Sequence, residues 1–133
     1  GGDLFEIKPQ TNYTAADLNW NDSSSRSTLE MKGDKSRPAM AGPADVAQYD
    51  VVFVGFPIWW YQAPRIIETF LESCDFSGKT IVPFATSGGS GMGKTESILK
   101  ACCAQTAKWL PGKRLSSRES AASVRKWVDS LGL

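Results

Sequence analysis

Between Pro57 and Pro64 the chain places Ile58, Trp59, Trp60 and Tyr61, so three large aromatic side chains stand in a row on a segment bracketed by prolines. Val51–Val54, just before them, is an unbroken apolar run rich in β-branched residues, which predicts a strand buried on both faces and stopped at Gly55. Pro64 suits the first turn of a following helix, where a missing N–H costs nothing. The rings therefore sit on a loop at the carboxyl end of a parallel strand, the edge where open α/β sheets bind ligands. A flat ligand stacked on Trp59 or Trp60 would cover apolar surface that a loop otherwise exposes. The alternative is a loop folded back over the protein's own core.

A second stretch able to do chemistry is Thr86 to Gly93, TSGGSGMG, followed by Lys94 and Thr95. Gly88 to Thr95 matches the phosphate-loop pattern GxxxxGK[ST] between a strand and a helix. That chemistry needs Lys94 on the phosphates, Thr95 on magnesium, and a second carboxylate at the end of another apolar strand. No apolar strand of this chain ends in an acid. Glycines also let backbone amides approach a flat ring closely. On that reading Thr86, Ser87 and the amides of Gly88 to Gly91 bond a polar ring edge while an indole covers the ring's face. A plain flexible connection between strand and helix is the third reading.

Composition narrows the chemistry further. At 133 residues, 41% apolar and 22% charged, the chain is one globular domain, 1–133, with a single core. A net charge of +1 argues against nucleic acid as a partner, and no apolar run approaches the ~20 residues of a membrane span. The start shows no secretory signal, and Cys74, Cys102 and Cys103 are an odd count, so a cytoplasmic protein with reduced thiols is the expectation. Histidine is absent, which removes His-dependent triads and the commonest metal ligand, and no cysteine spacing suits zinc.

The elements that must position these loops follow from hydrophobic spacing. Leu4–Lys8 reads as a strand ended by Pro9. Thr14–Leu18 makes helical turns capped by Thr14 with Asp17 in the capping-box position. Ser27–Lys32 is a short helix stopped at Gly33, and Ala44–Gln48 a helical turn. Arg26 and Arg37 read as solvated surface charge more readily than as anion contacts. Ile66, Ile67, Phe70 and Leu71 give Pro64–Ser73 one apolar stripe. Phe76–Lys79 is a turn and Thr80–Ala85 a buried strand. Pro83 within it implies a bulge, or a position whose N–H no neighbour needs. Ile98, Leu99, Cys102, Cys103 and Thr106 predict a helix from about Thr95 to Trp109, with both cysteines as small core hydrophobes. Gly112–Leu115 is a strand. Ser116 to Glu119 reads as a capping box for a last helix buried through Ala121, Val124, Val128 and Leu131, and ended by Gly132. Strand and helix alternate, so the class is an α/β sandwich with a parallel sheet.

GFPIWWYQAPR with FLESCDFSGKTIVPFATSGGSGMG resembles the flavodoxin-like flavoproteins of bacteria and archaea, and DLFEIKPQTNYTAADLNWNDSSSRS is similar to their second strand and the loop after it. The resemblance implies a doubly wound three-layer α/β/α domain with a five-stranded sheet of order 2-1-3-4-5, binding FMN at its switch point. Pro57 to Ala63 would be the first ring loop, with Pro57, Ile58, Trp59, Trp60 and Ala63 at the cofactor. Thr86, Ser87, Gly88, Gly89 and Gly91 would be the second, facing the pyrimidine edge. The family's first strand, its phosphate loop [ST]xTG[NH][ST] and its first helix have no counterpart in these 133 residues. The expectation is a domain lacking its middle strand, that slot filled by a second copy in a homo-oligomer, by a shifted strand, or by a longer parent chain.

The function so implied is FMN-dependent electron transfer, or flavin-dependent reduction of a quinone-like substrate, with a redox protein or that small molecule as partner. No titrating side chain is required, so no catalytic residue and no metal ligand is named. Whether the chain is an FMN-dependent oxidoreductase or a carrier stays open at this point. The alternative is a flavodoxin-like module with weak or no flavin binding, and after it a phosphate-loop nucleotide-binding protein.

Overall fold

The computed structural model describes residues 2–87 and 91–133. The strands β1 (Val51–Pro57) and β2 (Thr80–Thr86) lie parallel, in a register that sets Val51 beside Thr80 and Pro57 beside Thr86. On the other side of β2 run β3 (Lys108–Trp109) and β4 (Lys113–Leu115), also parallel to it. The sheet is α/β and parallel, as the alternation of elements requires. Within the described residues it shows β1, β2 and the β3–β4 line rather than five strands.

The break between β3 and β4 explains Pro83. Thr80 N–H donates to Asp50 in the strand's β1 direction, whereas Lys79 and Ile81 carbonyls accept from Lys108 and Leu110 on the far side. Alternation then turns position 83 toward Leu110–Gly112, where the neighbouring strand is interrupted. Proline stands where no N–H is asked for. Gly112 fits the same place: a Cβ there would lie 3.1 Å from the Pro83 ring and 2.7 Å from Glu96.

β1 continues past Gly55 to Pro57, and it is buried on one face only. Val54 and Phe56 enter the core, while Phe53 on the other face is 40% exposed. Gly55 does not stop the strand; it leaves room for the Phe84 ring, which a Cβ at position 55 would meet at 2.3 Å. β2, with neighbours on both sides, is the strand whose interior residues are buried.

The helix α2 (Arg65–Ser73) forms as its spacing demands, with Pro64 at the N-cap. Ile66, Ile67, Phe70 and Leu71 pack with Val54, Phe56, Ile81 and Ala85 in one cluster. At roughly 2 kcal/mol per buried aliphatic or aromatic side chain, that stripe is the main hold on the sheet's inner face. α4 (Ala121–Ser130) covers part of the outer face through Trp127, edge-on to Phe53 and Phe84. Its true cap is Ser120, accepting from Ser123 N–H at 3.0 Å, while Ser116 and Glu119 close the turn before it. Ala121 is exposed; Val124, Trp127, Val128 and Leu131 form a half-buried stripe.

Three other expectations change. Leu4–Lys8 joins no strand among the described residues; the pairing there falls instead at Pro9 and Met40. Leu4 is left 98% exposed. The helix after the glycine-rich stretch, α3, spans only Thr95–Lys100. Leu99 anchors it, but Trp109 is drawn away to pair beside Ile81 in β3, which ends the helical period early. Ala44–Gln48 keeps only a turn, closed by Tyr49 N–H on Val46. The Thr14–Asp17 box does close, each backbone N–H on the other's side-chain oxygen.

Cys102 and Cys103 are half-buried against the core, and burial pushes both thiols up to about 11. At neutral pH their thiolate fraction falls well below that of free cysteine, so alkylation by iodoacetamide is expected to run at least tenfold slower than for glutathione. Labelling followed by peptide mass analysis reads this directly; equal rates would contradict the burial. Among the described residues no helix is long and apolar enough to cross a membrane, and no His, Cys, Asp or Glu cluster could hold a metal.

Candidate functional site

The aromatic segment folds into a tight turn. Trp59 and Gln62 exchange backbone hydrogen bonds, N–H to carbonyl at 2.8 Å and 3.1 Å. Trp60 and Tyr61 between them have φ of 47° and 66°, left-handed values that non-glycine residues adopt at a cost of about 1–3 kcal/mol each. The strain turns both rings outward: Trp60 is 41% exposed and Tyr61 72%. Trp59 points the other way. Its ring meets Tyr13 edge-on at 5.5 Å, and Arg26 stacks on Tyr13 at 3.7 Å. Burial and the Glu30 carboxylate hold the Tyr13 phenol above its usual range, so it stays protonated and donates to Glu30.

The expected ring residues therefore divide. Pro57 ends β1 on the exposed side, and Ile58 donates its N–H to Thr86 at 3.2 Å, tying the first loop to the end of β2. Ala63 is buried in the core at 3% exposure, so its side chain faces the protein and not a ligand. Trp60 lines a shallow cavity of about 160 Å³ with Thr28, Met31 and Lys32 of α1 (Arg26–Lys32). A larger cavity of about 410 Å³ lies between Leu4–Lys8 and Met40–Pro43, away from the strands' carboxyl ends.

On the second loop, Thr86 is exposed at the end of β2 and Ser87 follows it. Gly88 and Gly89 lie outside the described residues, as does Ser90 of the phosphate-loop match. Gly91 has open space where a side chain would be. Gly93 is the joint between the loops: its φ is +54°, and a Cβ there would sit 2.9 Å from the Tyr61 carbonyl. Thr95 Oγ1 reaches the same carbonyl at 3.4 Å and the residue is fully buried. That placement counts against phosphate-loop chemistry, which would need this hydroxyl on magnesium.

Tyr61, marked in the sequence beside the two tryptophans, shares the strained turn and is its most exposed ring. Two other participants went unmarked there. Arg114 of β4 donates from Nε to Ser87 Oγ at 2.8 Å and from Nη2 to the Ser87 carbonyl at 3.1 Å. Arg65 reaches Gln62 of the turn at 3.3 Å, the Glu30 and Met31 carbonyls at the end of α1, and Glu68 at 2.8 Å. Only the i,i+3 spacing of Arg65 and Glu68 hinted at this in the sequence. Arg26 and Arg37 are not free surface charge: Arg26 pairs with Glu30 and Asp17, and Arg37 with Glu68 and Glu72.

The ring end of a flavin fits this arrangement. Exposed aromatic faces stand on the loop after β1, the Ser87 hydroxyl and the Gly91 and Gly93 backbone on the loop after β2, and the Arg114 guanidinium reaches Ser87 from β4.

The family model described as Flavodoxin matches residues 1–131. A solved structure of a "putative flavoprotein" from Bacteroides uniformis ATCC 8492 is 46% identical, with a TM-score of 0.90, covering 96% of this chain and 81% of its own. Another, from Bacteroides eggerthii DSM 20697, is 46% identical with a TM-score of 0.91, covering 99% of this chain and 82% of its own. A flavoprotein in complex with FMN from Lactobacillus acidophilus NCFM shares 21% identity and a TM-score of 0.53, over 77% of this chain and 65% of that one, and so bears on the fold alone. No protein in a comparison with curated proteins matches.

Proposed function

We propose that this chain, which belongs to the flavodoxin family by its match over residues 1–131, is an FMN-binding protein that transfers electrons to a redox protein or reduces a quinone-like substrate. One observation carries the reading. The aromatic turn is held in a strained form by the glycine-rich loop through Gly93 and Thr95, which presents Trp60 and Tyr61 beside the ends of β1 and β2. The family match and the two Bacteroides structures described as putative flavoproteins support a flavin as the cofactor.

The flavin would supply the electron chemistry when bound. Trp60 and Tyr61 would cover a face of the ring and exclude water, while Thr86, Ser87 and the second loop's backbone would orient its polar edge. Trp59, clamped by Tyr13, braces the turn. The pattern [ST]xTG[NH][ST] does not occur in this sequence. The expectation of a domain lacking its first strand, phosphate loop and first helix finds no support in the family match, which spans residues 1–131, and the loops described would recognise the ring.

The test is titration of the purified protein with FMN and with riboflavin, followed by visible absorbance and tryptophan fluorescence. Saturable binding of either supports the reading, and binding of neither overturns it. A Trp60→Ala variant is expected to lose about 5-fold to 150-fold in affinity, the ~1–3 kcal/mol of one aromatic stack on a flat heterocycle. Unchanged affinity would remove Trp60 from the site.

A further inference from the structure

Arg114 lies at the register position beside Ala85, so β4 delivers its side chain to the carboxyl end of β2. There the guanidinium takes two bonds to one residue, Nε to Ser87 Oγ at 2.8 Å and Nη2 to the Ser87 carbonyl at 3.1 Å. These fix its direction. The three other arginines that contact neighbouring loops, Arg26, Arg37 and Arg65, each meet a carboxylate. Arg114 meets none among the described residues. An oriented guanidinium without a counter-charge, at the ligand edge of a parallel sheet, favours whatever acquires negative charge there.

Resting on the FMN reading above, we propose that Arg114 is the residue that sets the reduction potential of the bound ring. On reduction at neutral pH a flavin takes two electrons and one proton and gains negative charge along its pyrimidine edge. Charge near that edge is one of the protein's levers on the cofactor. Arg114 favours the reduced ring over the oxidised one and thereby raises the potential. It does so without a titrating group, because guanidinium stays protonated throughout the working range.

The experiment compares the parent, Arg114→Gln and Arg114→Lys, each loaded with FMN and reduced by dithionite against an indicator dye. The affinities of the oxidised proteins for FMN and riboflavin are measured alongside. For Arg114→Gln we expect about a tenfold loss of preference for the reduced ring, which is ~30 mV more negative for a two-electron couple. Arg114→Lys, which keeps the charge, is expected to recover more than half of that shift. Unchanged potentials in Arg114→Gln would overturn the proposal while leaving FMN binding intact. So would a variant that loses FMN affinity but keeps riboflavin affinity, since Arg114 would then serve the phosphate. Failure of the parent to bind either flavin would overturn this inference together with the reading it rests on.

Discussion

Replacing Glu68 with Ala is expected to cost about 3–5 kcal/mol of stability, enough to consume most of a small domain's ~5–15 kcal/mol. Glu68 is 3% exposed and Arg65 4%, and they meet at 2.8 Å. The second carboxylate oxygen receives Arg37 at 3.1 Å, and the Cys102 thiol lies 3.7 Å away. Without Glu68, Arg65 keeps three neutral oxygens, on Glu30, Met31 and Gln62, but remains a buried cation with no opposite charge. The pair itself adds little over an apolar substitute; breaking it on one side is what costs. Urea denaturation at fixed pH reads the loss as a lower midpoint with unchanged slope. Glu72→Ala is the control. Its carboxylate is 45% exposed and pairs with Arg37 at 2.7 Å, so it should cost under ~1 kcal/mol. Equal effects from the two would show that Glu68 is not the counter-charge of a buried cation. Because Arg65 also holds Gln62, the Glu68 variant should loosen the aromatic turn before the whole domain unfolds.

What was legible in the sequence follows a physical line. Val51–Val54 and Thr80–Ala85 declared themselves as strands by their apolar, β-branched runs, although only β2 has a buried interior and β1 is covered on one face, and α2 declared itself because its stripe recurs at helical spacing. Pro64 and Pro83 were legible as constraints, since a missing N–H is tolerated only in certain places. Leu4–Lys8 has the composition of a strand, but a strand exists only beside a partner, and pairing energy lies elsewhere in the chain. Cys102, Cys103 and Thr106 extend the helical period of α3 on paper; the pairing of Trp109 with Ile81 outweighs it. The site was legible as two loops, not as contacts. Arg114 and Ser87 are 27 residues apart and meet only through the register of β4 on β2. Arg37, Arg65 and Glu68 look like surface charge because burial depends on packing that no local pattern records. Trp59 and Trp60 are adjacent and chemically alike, yet the left-handed turn sends one inward and one outward.

That turn also makes Gly93→Val the most informative substitution at the site. Valine at φ +54° pays the left-handed penalty of about 1–2 kcal/mol, and its Cβ falls 2.9 Å from the Tyr61 carbonyl, an overpacking worth about 1–3 kcal/mol more. A clash can relax only if one partner moves. Tyr61 cannot yield easily, because its own φ is 66° and that of Trp60 is 47°, already in a sparsely allowed region. Thr95, fully buried, holds the same carbonyl from behind. The two loops must therefore separate. Stability is expected to fall by roughly 2–5 kcal/mol, and flavin affinity by tenfold or more under conditions where the variant remains folded by circular dichroism. Gly42→Ala, whose added Cβ would meet nothing within 4 Å, should leave both quantities near the parent values. If Gly93→Val loses stability but binds flavin as the parent does, the contact between the loops is structural only. If affinity falls with the stability, the glycine loop does more than connect β2 to α3: it sets the aromatic turn against its ligand.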